Sequence, residues 1–205
     1  MHLTSYDPYS GEVLGEVPET SSSTLEEILS FGKRSQALWS KLTLEERSSQ
    51  LQHLPQLIEE RMSRIVDVLV AETGMPISEA KSSTVKLLDR IRFLTEKCPE
   101  YLKSEEVNLK DGRVNRVTYQ PVGTVAAIMP WNHPFMIPFW TIVPALIAGN
   151  NIIYKPSELT PLVGREIEHL FSELGLSSYL FSTVYGDGKT GRALSAANQV
   201  NMISF

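Results

Sequence analysis

The chain has few of the features that mark secreted, metal-binding or nucleic-acid-binding proteins. Its 205 residues include one cysteine, Cys98, which excludes an internal disulfide framework and a cysteine-rich metal site. Lys and Arg number 19 against 24 Asp and Glu, without the basic excess of a protein that binds nucleic acid or a membrane surface. Residues 1–8 lack the basic and apolar regions of a signal peptide, and we expect a cytoplasmic protein.

An unbroken apolar run is also absent, although residues 117–154 carry no Lys, Arg, Asp or Glu. Polar residues interrupt this stretch, and so do prolines at positions 121, 130, 134, 138 and 144. A membrane-spanning helix needs about 20 consecutive apolar residues. The stretch is therefore predicted to be buried core.

The first hundred residues have the pattern of a helical region that follows an extended N-terminus. The capping boxes Ser23-x-x-Glu26 and Thr43-x-x-Glu46 predict two helix starts. Pro55 predicts a kink or break in the second helix, and Gly74 predicts the end of a third. The clearest helix is expected to end at Pro99 and has one apolar stripe, formed by Ile77, Ala80, Thr84, Leu87, Ile91, Leu94 and Cys98. Cys98 is therefore predicted to be a core residue and not a nucleophile.

The remaining residues alternate between predicted strands and helices. The strands cover residues 122–129, 151–154, 180–185 and 202–205. The helices between them cover 138–147, 160–174 and a short segment that runs to 197. This order predicts an α/β fold with a parallel Rossmann-like sheet and flanking helices. Because Phe205 lies inside an apolar strand, we expect the chain to be truncated within that strand and to continue in its parent protein.

Two segments place polar side chains just after predicted strands, where open parallel sheets bind ligands. In Pro130-Trp131-Asn132-His133-Pro134, a buried Asn132 could donate its amide to a developing oxyanion, and His133 is predicted to be a packing residue. The alternative is a proline-rich turn with a capping Asn. Lys155-Pro156-Ser157-Glu158 places a cation and a carboxylate where they could hold a polar ligand, or where they form a solvated loop.

A glycine-rich segment, Gly186-Asp187-Gly188-Lys189-Thr190-Gly191, matches the G-x-G-x-x-G pattern that brings a backbone close to a pyrophosphate. The match is a weak signal because short turns between strands and helices need glycine in any case. It also follows the third predicted strand and not the first, and no residue lies about 20 positions further on to supply the usual acidic partner.

Taken together, these segments resemble the NAD(P)-dependent aldehyde dehydrogenase superfamily. The matching segments are Asp7-Pro8-x-x-Gly11-Glu12, Trp39, Glu45-Glu46-Arg47, Glu72-Thr73-Gly74-x-Pro76, Tyr119 to Gly123, Pro130-Trp131-Asn132, Pro144 to Asn150, Lys155 to Glu158, Thr160-Pro161, Gly186 to Gly191 and Ile203 to Phe205. The resemblance covers essentially the whole chain but only the N-terminal part of a family member. The family's nucleophilic Cys and general-base Glu would follow Phe205, and Cys98 does not align with that nucleophile.

The resemblance implies oxidation of an aldehyde to a carboxylic acid through a cysteine thioester, with NAD, or alternatively NADP, as the acceptor. Asn132 would stabilise the oxyanion, and Lys155 and Glu158 would bind the adenine ribose. The implied cofactor-binding residues are Ile128, Met129, Pro130, Trp131, Lys155, Ser157, Glu158, Gly188, Lys189, Gly191 and Phe205. No metal ligand is implied.

The resemblance also implies a domain organisation. Residues 1–105 and 119–205 would form the cofactor-binding domain, and residues 106–118 would begin an arm through which family members form dimers and tetramers. We expect a small-molecule aldehyde as the substrate and no activity from these 205 residues alone. The alternative is a naturally short, non-catalytic relative that binds a nucleotide or a partner subunit. A purely structural module would leave Asn132, Lys155 and Glu158 unexplained.

Overall fold

Eight strands and eight helices make up the computed structural model, which describes residues 1–205. The strands are β1 (His2–Tyr6), β2 (Val13–Pro18), β3 (Glu105–Asn108), β4 (Val114–Val117), β5 (Thr124–Ile128), β6 (Asn151–Lys155), β7 (Phe181–Thr183) and β8 (Met202–Ser204). The helices are α1 (Ser22–Trp39), α2 (Leu44–Leu51), α3 (Leu54–Glu60), α4 (Met62–Thr73), α5 (Ile77–Tyr101), α6 (Met136–Ile147), α7 (Pro161–Glu173) and α8 (Gly188–Ala196).

The central sheet has four strands in the order β7-β6-β5-β8, and every pair is parallel. This confirms the predicted α/β fold with a parallel sheet. Alternate residues of β5 and β6 face opposite sides, as the two-residue period of a strand requires. Ala127 and Ile152 join the larger core with α5, α6 and α7, whereas Ala126 and Ile153 pack with Leu25 of α1 and other residues of the smaller core. Both faces of the sheet are thus covered by helices.

Several predicted helix boundaries are confirmed. Thr43 and Glu46 form a complete capping box at the start of α2. The chain breaks between α2 and α3, and Pro55 lies in the first turn of α3, where a missing N–H costs nothing. Gly74 ends α4 in the left-handed conformation, with φ of 69°. None of the helices is long and apolar enough to cross a bilayer.

Other boundary predictions were wrong. The N-cap of α1 is Ser21 and not Ser23, since the Ser21 hydroxyl accepts the Thr24 N–H at 3.1 Å. Pro99 does not end α5, which continues to Tyr101. A proline at position 99 leaves the carbonyl of Thr95 without its usual intrahelical donor. The buried Ser48 hydroxyl of α2 donates to that carbonyl instead, and this contact accommodates the proline.

A buried carboxylate joins the N-terminal hairpin, formed by antiparallel β1 and β2, to the helices. Glu72 of α4 accepts hydrogen bonds from the Ser5 hydroxyl at 2.5 Å and from the N–H groups of Leu162 and Val163 at 2.8 and 2.7 Å. These two N–H groups lie in the first turn of α7, and the N-cap Thr160 makes no side-chain capping bond. Glu72 therefore caps α7 from another helix.

A second antiparallel hairpin, β3 and β4, forms a sheet of its own, in which Glu105 is paired with Val117 and Asn108 with Val114. All eight strand residues are exposed. The strands of this hairpin lie within residues 105–117 and overlap the segment 106–118, in which the family resemblance implies the start of an oligomerisation arm.

Candidate functional site

A cleft of about 700 Å³ opens beyond the carboxyl ends of β5 and β6, the position at which parallel sheets bind ligands. The cleft is lined by residues from the ends of β5 and β6, the turns that follow them, α8, β8 and the last position of the chain. They are Ile128, Met129, Pro130, Trp131, Lys155, Ser157, Glu158, Leu159, Gly188, Gly191, Ser195, Ile203 and Phe205.

The structure brings together ten of the eleven residues predicted to bind a cofactor. Lys189 is the exception: it is exposed, it does not line the cleft, and its N–H is bonded to the Asp187 carboxylate at 2.7 Å. Sequence reasoning did not assign Leu159, Ser195 or Ile203 to the site. For Ser195 a signal existed, because it lies four residues after Gly191 and seven after Gly188, on the same face of α8.

Lys155 supplies a buried positive charge to the cleft. Its side chain is only 4% exposed. Nζ donates to the Pro156 carbonyl at 3.0 Å and lies 3.6 Å from Oε2 of Glu158. Burial lowers the pKa of Lys155, and the negative charges of Glu158 and Asp187 oppose that shift. An ammonium has three N–H donors, so Lys155 retains hydrogen-bonding capacity for an anionic or hydroxylated ligand.

The glycine-rich segment forms the start of α8. The Asp187 carboxylate caps this helix, and Gly188 is its first residue. A Cβ on Gly186 would lie 2.0 Å from Oγ1 of Thr190, so this glycine allows a tight turn. A Cβ on Gly191 would instead project to within 3.9 Å of the Lys155 stem, and one on Gly188 would meet open space. The glycines at 188 and 191 therefore keep one wall of the cleft flat and free of side chains.

The structure places Asn132 in the turn between β5 and α6, but it does not line the cleft. Its side chain is exposed, so the expectation of a buried Asn132 was wrong. Pro134 and Phe135 are buried next to it and anchor the turn, and His133 is half-buried. The amide of Asn132 is thus available to a group outside the chain's own core.

Cys98 lies on α5, where it packs against the main core and is not among the residues of the cleft. Burial raises the pKa of its thiol, so the reactive thiolate is disfavoured. This agrees with its interpretation as a packing residue, although Cys98 is only half-buried. No cluster of His, Cys, Asp and Glu is arranged to hold a metal ion.

The fold and the cleft define a class, that of α/β proteins with a parallel Rossmann-like sheet and a ligand cleft at its carboxyl edge. Within that class the chain belongs to the aldehyde dehydrogenase family, whose family model matches residues 1–205.

Several solved structures superpose closely on the chain. An aldehyde dehydrogenase from Brucella melitensis biovar abortus 2308 has a TM-score of 0.93 at 28% identity and covers 100% of this chain. PnpE from Pseudomonas sp. WBC-3, in complex with nicotinamide adenine dinucleotide, has a TM-score of 0.91 at 29% identity and covers 99%. An NADP dependent enzyme from E. coli has a TM-score of 0.92 at 26% identity and covers 100%. The chain spans only 42–43% of the length of these three proteins.

Proposed function

We propose that the chain is the cofactor-binding part of an NAD(P)-dependent aldehyde dehydrogenase. The observation that carries this proposal is the cleft at the carboxyl ends of β5 and β6, lined by a buried lysine, a carboxylate and a glycine wall. Membership of the family and the superposition on PnpE, which was solved with NAD, support the same function.

The residues of the cleft fit a dinucleotide. The flat wall at Gly188 and Gly191 admits a bulky group that a side chain would obstruct. Lys155 and Glu158 lie 3.6 Å apart and present one donor group and one acceptor group, which suits the adjacent hydroxyls of a ribose. Trp131 is 58% exposed at the rim and offers an aromatic face to the ligand.

When bound, the cofactor would supply the two-electron acceptor that an aldehyde oxidation needs. The chain's own contribution would be to bind and orient that cofactor and to present Asn132 beside it. An exposed amide N–H₂ at this position could donate a hydrogen bond to the oxygen of the aldehyde as negative charge develops there. The substrate would be a small-molecule aldehyde.

The test is titration calorimetry of the 205-residue chain with NAD. Binding is expected in the wild type, and Lys155→Met should weaken it by about ten- to a hundredfold because one charge-assisted hydrogen bond, worth about 1.5–3 kcal/mol, is lost. Lys81→Met removes an exposed lysine of α5 outside the cleft and serves as the matched control. Asn132→Ala should also retain wild-type affinity, since Asn132 does not line the cleft. Absence of NAD binding by the wild type would contradict the proposal.

The 205 residues alone are proposed to bind the cofactor without oxidising aldehydes. Their one thiol is held on α5 with a raised pKa, and it does not face the cleft. The measurement is NADH formation by the purified chain in the presence of an aldehyde. Turnover that disappears in Cys98→Ala would overturn both this proposal and the interpretation of Cys98 as a packing residue.

A further inference from the structure

The wall of the cleft formed by α8 carries one hydrogen-bonding side chain. Gly188, Gly191 and Ser195 are spaced three and four residues apart, so they share one face of the helix, and all three line the cleft. Gly188 and Gly191 contribute no side-chain atoms to this face. The hydroxyl of Ser195 is therefore the side-chain group with which this part of the wall can distinguish one polar ligand edge from another.

Apolar side chains accompany this glycine face in the cleft. Ile128 lies at the end of β5, and Ile203 lies on the adjacent strand β8, where it is paired with Ala126. These two aliphatic side chains line the cleft together with the flat glycine face of α8.

A planar heterocycle buries its faces against aliphatic and backbone surfaces while its edge remains available for hydrogen bonds. Lys155 and Glu158, which the family resemblance assigns to the adenine ribose, adjoin this wall, because a Cβ on Gly191 would come within 3.9 Å of the Lys155 stem. The base attached to that ribose, the purine, is therefore the planar group placed here.

The hydrogen of the Ser195 hydroxyl already has a partner. Oγ donates to the carbonyl of Gly191 at 2.9 Å, the preceding-turn bond that serine commonly makes inside a helix. With its proton so engaged, the oxygen presents its lone pairs and acts as an acceptor. An acceptor complements the 6-amino group of adenine, a donor, and opposes the 6-carbonyl group of hypoxanthine, which is itself an acceptor.

We propose that Ser195 selects the base of the cofactor, because its hydroxyl accepts a hydrogen bond from the 6-amino group of adenine and disfavours a 6-oxopurine. This inference rests on the proposed NAD-binding function and adds a specificity-determining residue to it. A hypoxanthine base would require the hydroxyl to rotate and give up its bond to Gly191. The preference for adenine over hypoxanthine is therefore worth a single neutral hydrogen bond, or about fivefold in affinity.

The experiment compares the dissociation constants of NAD and of nicotinamide hypoxanthine dinucleotide for the 205-residue chain by titration calorimetry. The wild type is expected to bind NAD about fivefold more tightly, and Ser195→Ala to bring the ratio close to one, chiefly by weakening NAD. Alanine is the best helix former, so α8 is retained. Ser172→Ala is the matched control, since its hydroxyl makes the same kind of bond, to the His169 carbonyl at 2.7 Å, outside this cleft.

The outcomes separate the inference from the function on which it rests. If the variant binds NAD but keeps the wild-type ratio, Ser195 does not read the base, and the inference fails while the proposed function stands. The same conclusion follows if wild type binds both dinucleotides equally. If the wild type binds neither, the proposed function fails and takes the inference with it.

Discussion

Lys155 is placed for binding at the expense of stability. An ammonium that is removed from water loses its hydration. The Pro156 carbonyl at 3.0 Å and the Glu158 carboxylate at 3.6 Å replace that hydration only in part. Glu158, its partner, has a side chain 44% exposed and stays hydrated without the lysine. We therefore predict that Lys155→Met raises the free energy of unfolding of the ligand-free chain by about 1 kcal/mol, although it weakens NAD binding. Urea denaturation measures this change.

The difference in unfolding free energy between Lys155→Met and the wild type should depend on pH if the buried charge causes it. Burial lowers the pKa of Lys155 in the folded chain below the ordinary value of 10.5. Between these two pKa values the unfolded chain binds more protons, so the stability of the wild type rises with pH through that window. Lys155→Met lacks this contribution. The advantage of the variant should be greatest below the lowered pKa and shrink as the pH approaches 10.5. A constant advantage would mean that packing, and not the charge, is responsible.

Glu158 is expected to decide between NAD and NADP. Its carboxylate is held beside Lys155 at the cleft, where the 2′-phosphate of NADP would meet a like charge. Glu158→Ser should therefore lower the preference for NAD, chiefly by improving the dissociation constant of NADP. Glu27→Ser, in α1 and outside this cleft, is the matched control. An unchanged ratio of the two constants in Glu158→Ser would show that Glu158 does not face the ribose.

At the scale of the element, α5 depends on a contact from another helix. Ser48 of α2 supplies the donor that Pro99 removes from the Thr95 carbonyl. Ser48→Ala should lower the free energy of unfolding by about 1–3 kcal/mol, because a buried carbonyl is left without a partner. In the Pro99→Ala background, the N–H of residue 99 can donate to Thr95, so the same substitution should cost clearly less. A double-mutant cycle by chemical denaturation measures this coupling, and additive effects would contradict the exchange of donors.

This contact also shows why some helix boundaries can be read from the sequence and others cannot. The Thr43 box and Gly74 act within one turn of chain, and the structure has both as predicted. The same local rule predicted a helix end at Pro99, and it fails because Ser48 lies 47 positions from Thr95, the residue whose carbonyl it satisfies. The cap of α7 is another example, since its carboxylate comes from Glu72 on α4. A local pattern cannot indicate a partner that tertiary packing supplies.

At the scale of the whole molecule, too, local patterns predict the elements, and tertiary packing decides how they are arranged. Alternating strands and helices predict a parallel sheet, but they do not give the strand order, in which β8 lies beside β5. The residues after β5 and β6 were expected near a ligand because each segment follows a strand, and the family resemblance assigned them to one cofactor site. Ser195 and Ile203 were missed because the strand order and the rotation of α8 bring them there. Asn132 was expected to be buried because it follows a buried strand, yet Trp131 and Asn132 are both exposed.

The hairpin of β3 and β4 bears on how copies of the molecule associate. An isolated two-stranded hairpin is marginally stable in water, and its open edges can pair with another chain. Its eight strand residues are exposed, and Val107 and Val117 lie on the same face. We predict that the chain self-associates through this arm. Val107→Lys combined with Val117→Lys should then give a monomer in sedimentation velocity, with stability changed by no more than about 0.5 kcal/mol.

The control for this prediction places the same two charges elsewhere. Val13 of β2 and Val85 of α5 are as exposed as the two hairpin valines, at 60% and 52%. Val13→Lys combined with Val85→Lys changes the net charge equally but leaves the arm intact, so its sedimentation should match that of the wild type. If both double variants dissociate, general charge repulsion is the cause. If the wild type is itself monomeric, or the hairpin variant still associates, the assignment of residues 106–118 as an oligomerisation arm is wrong.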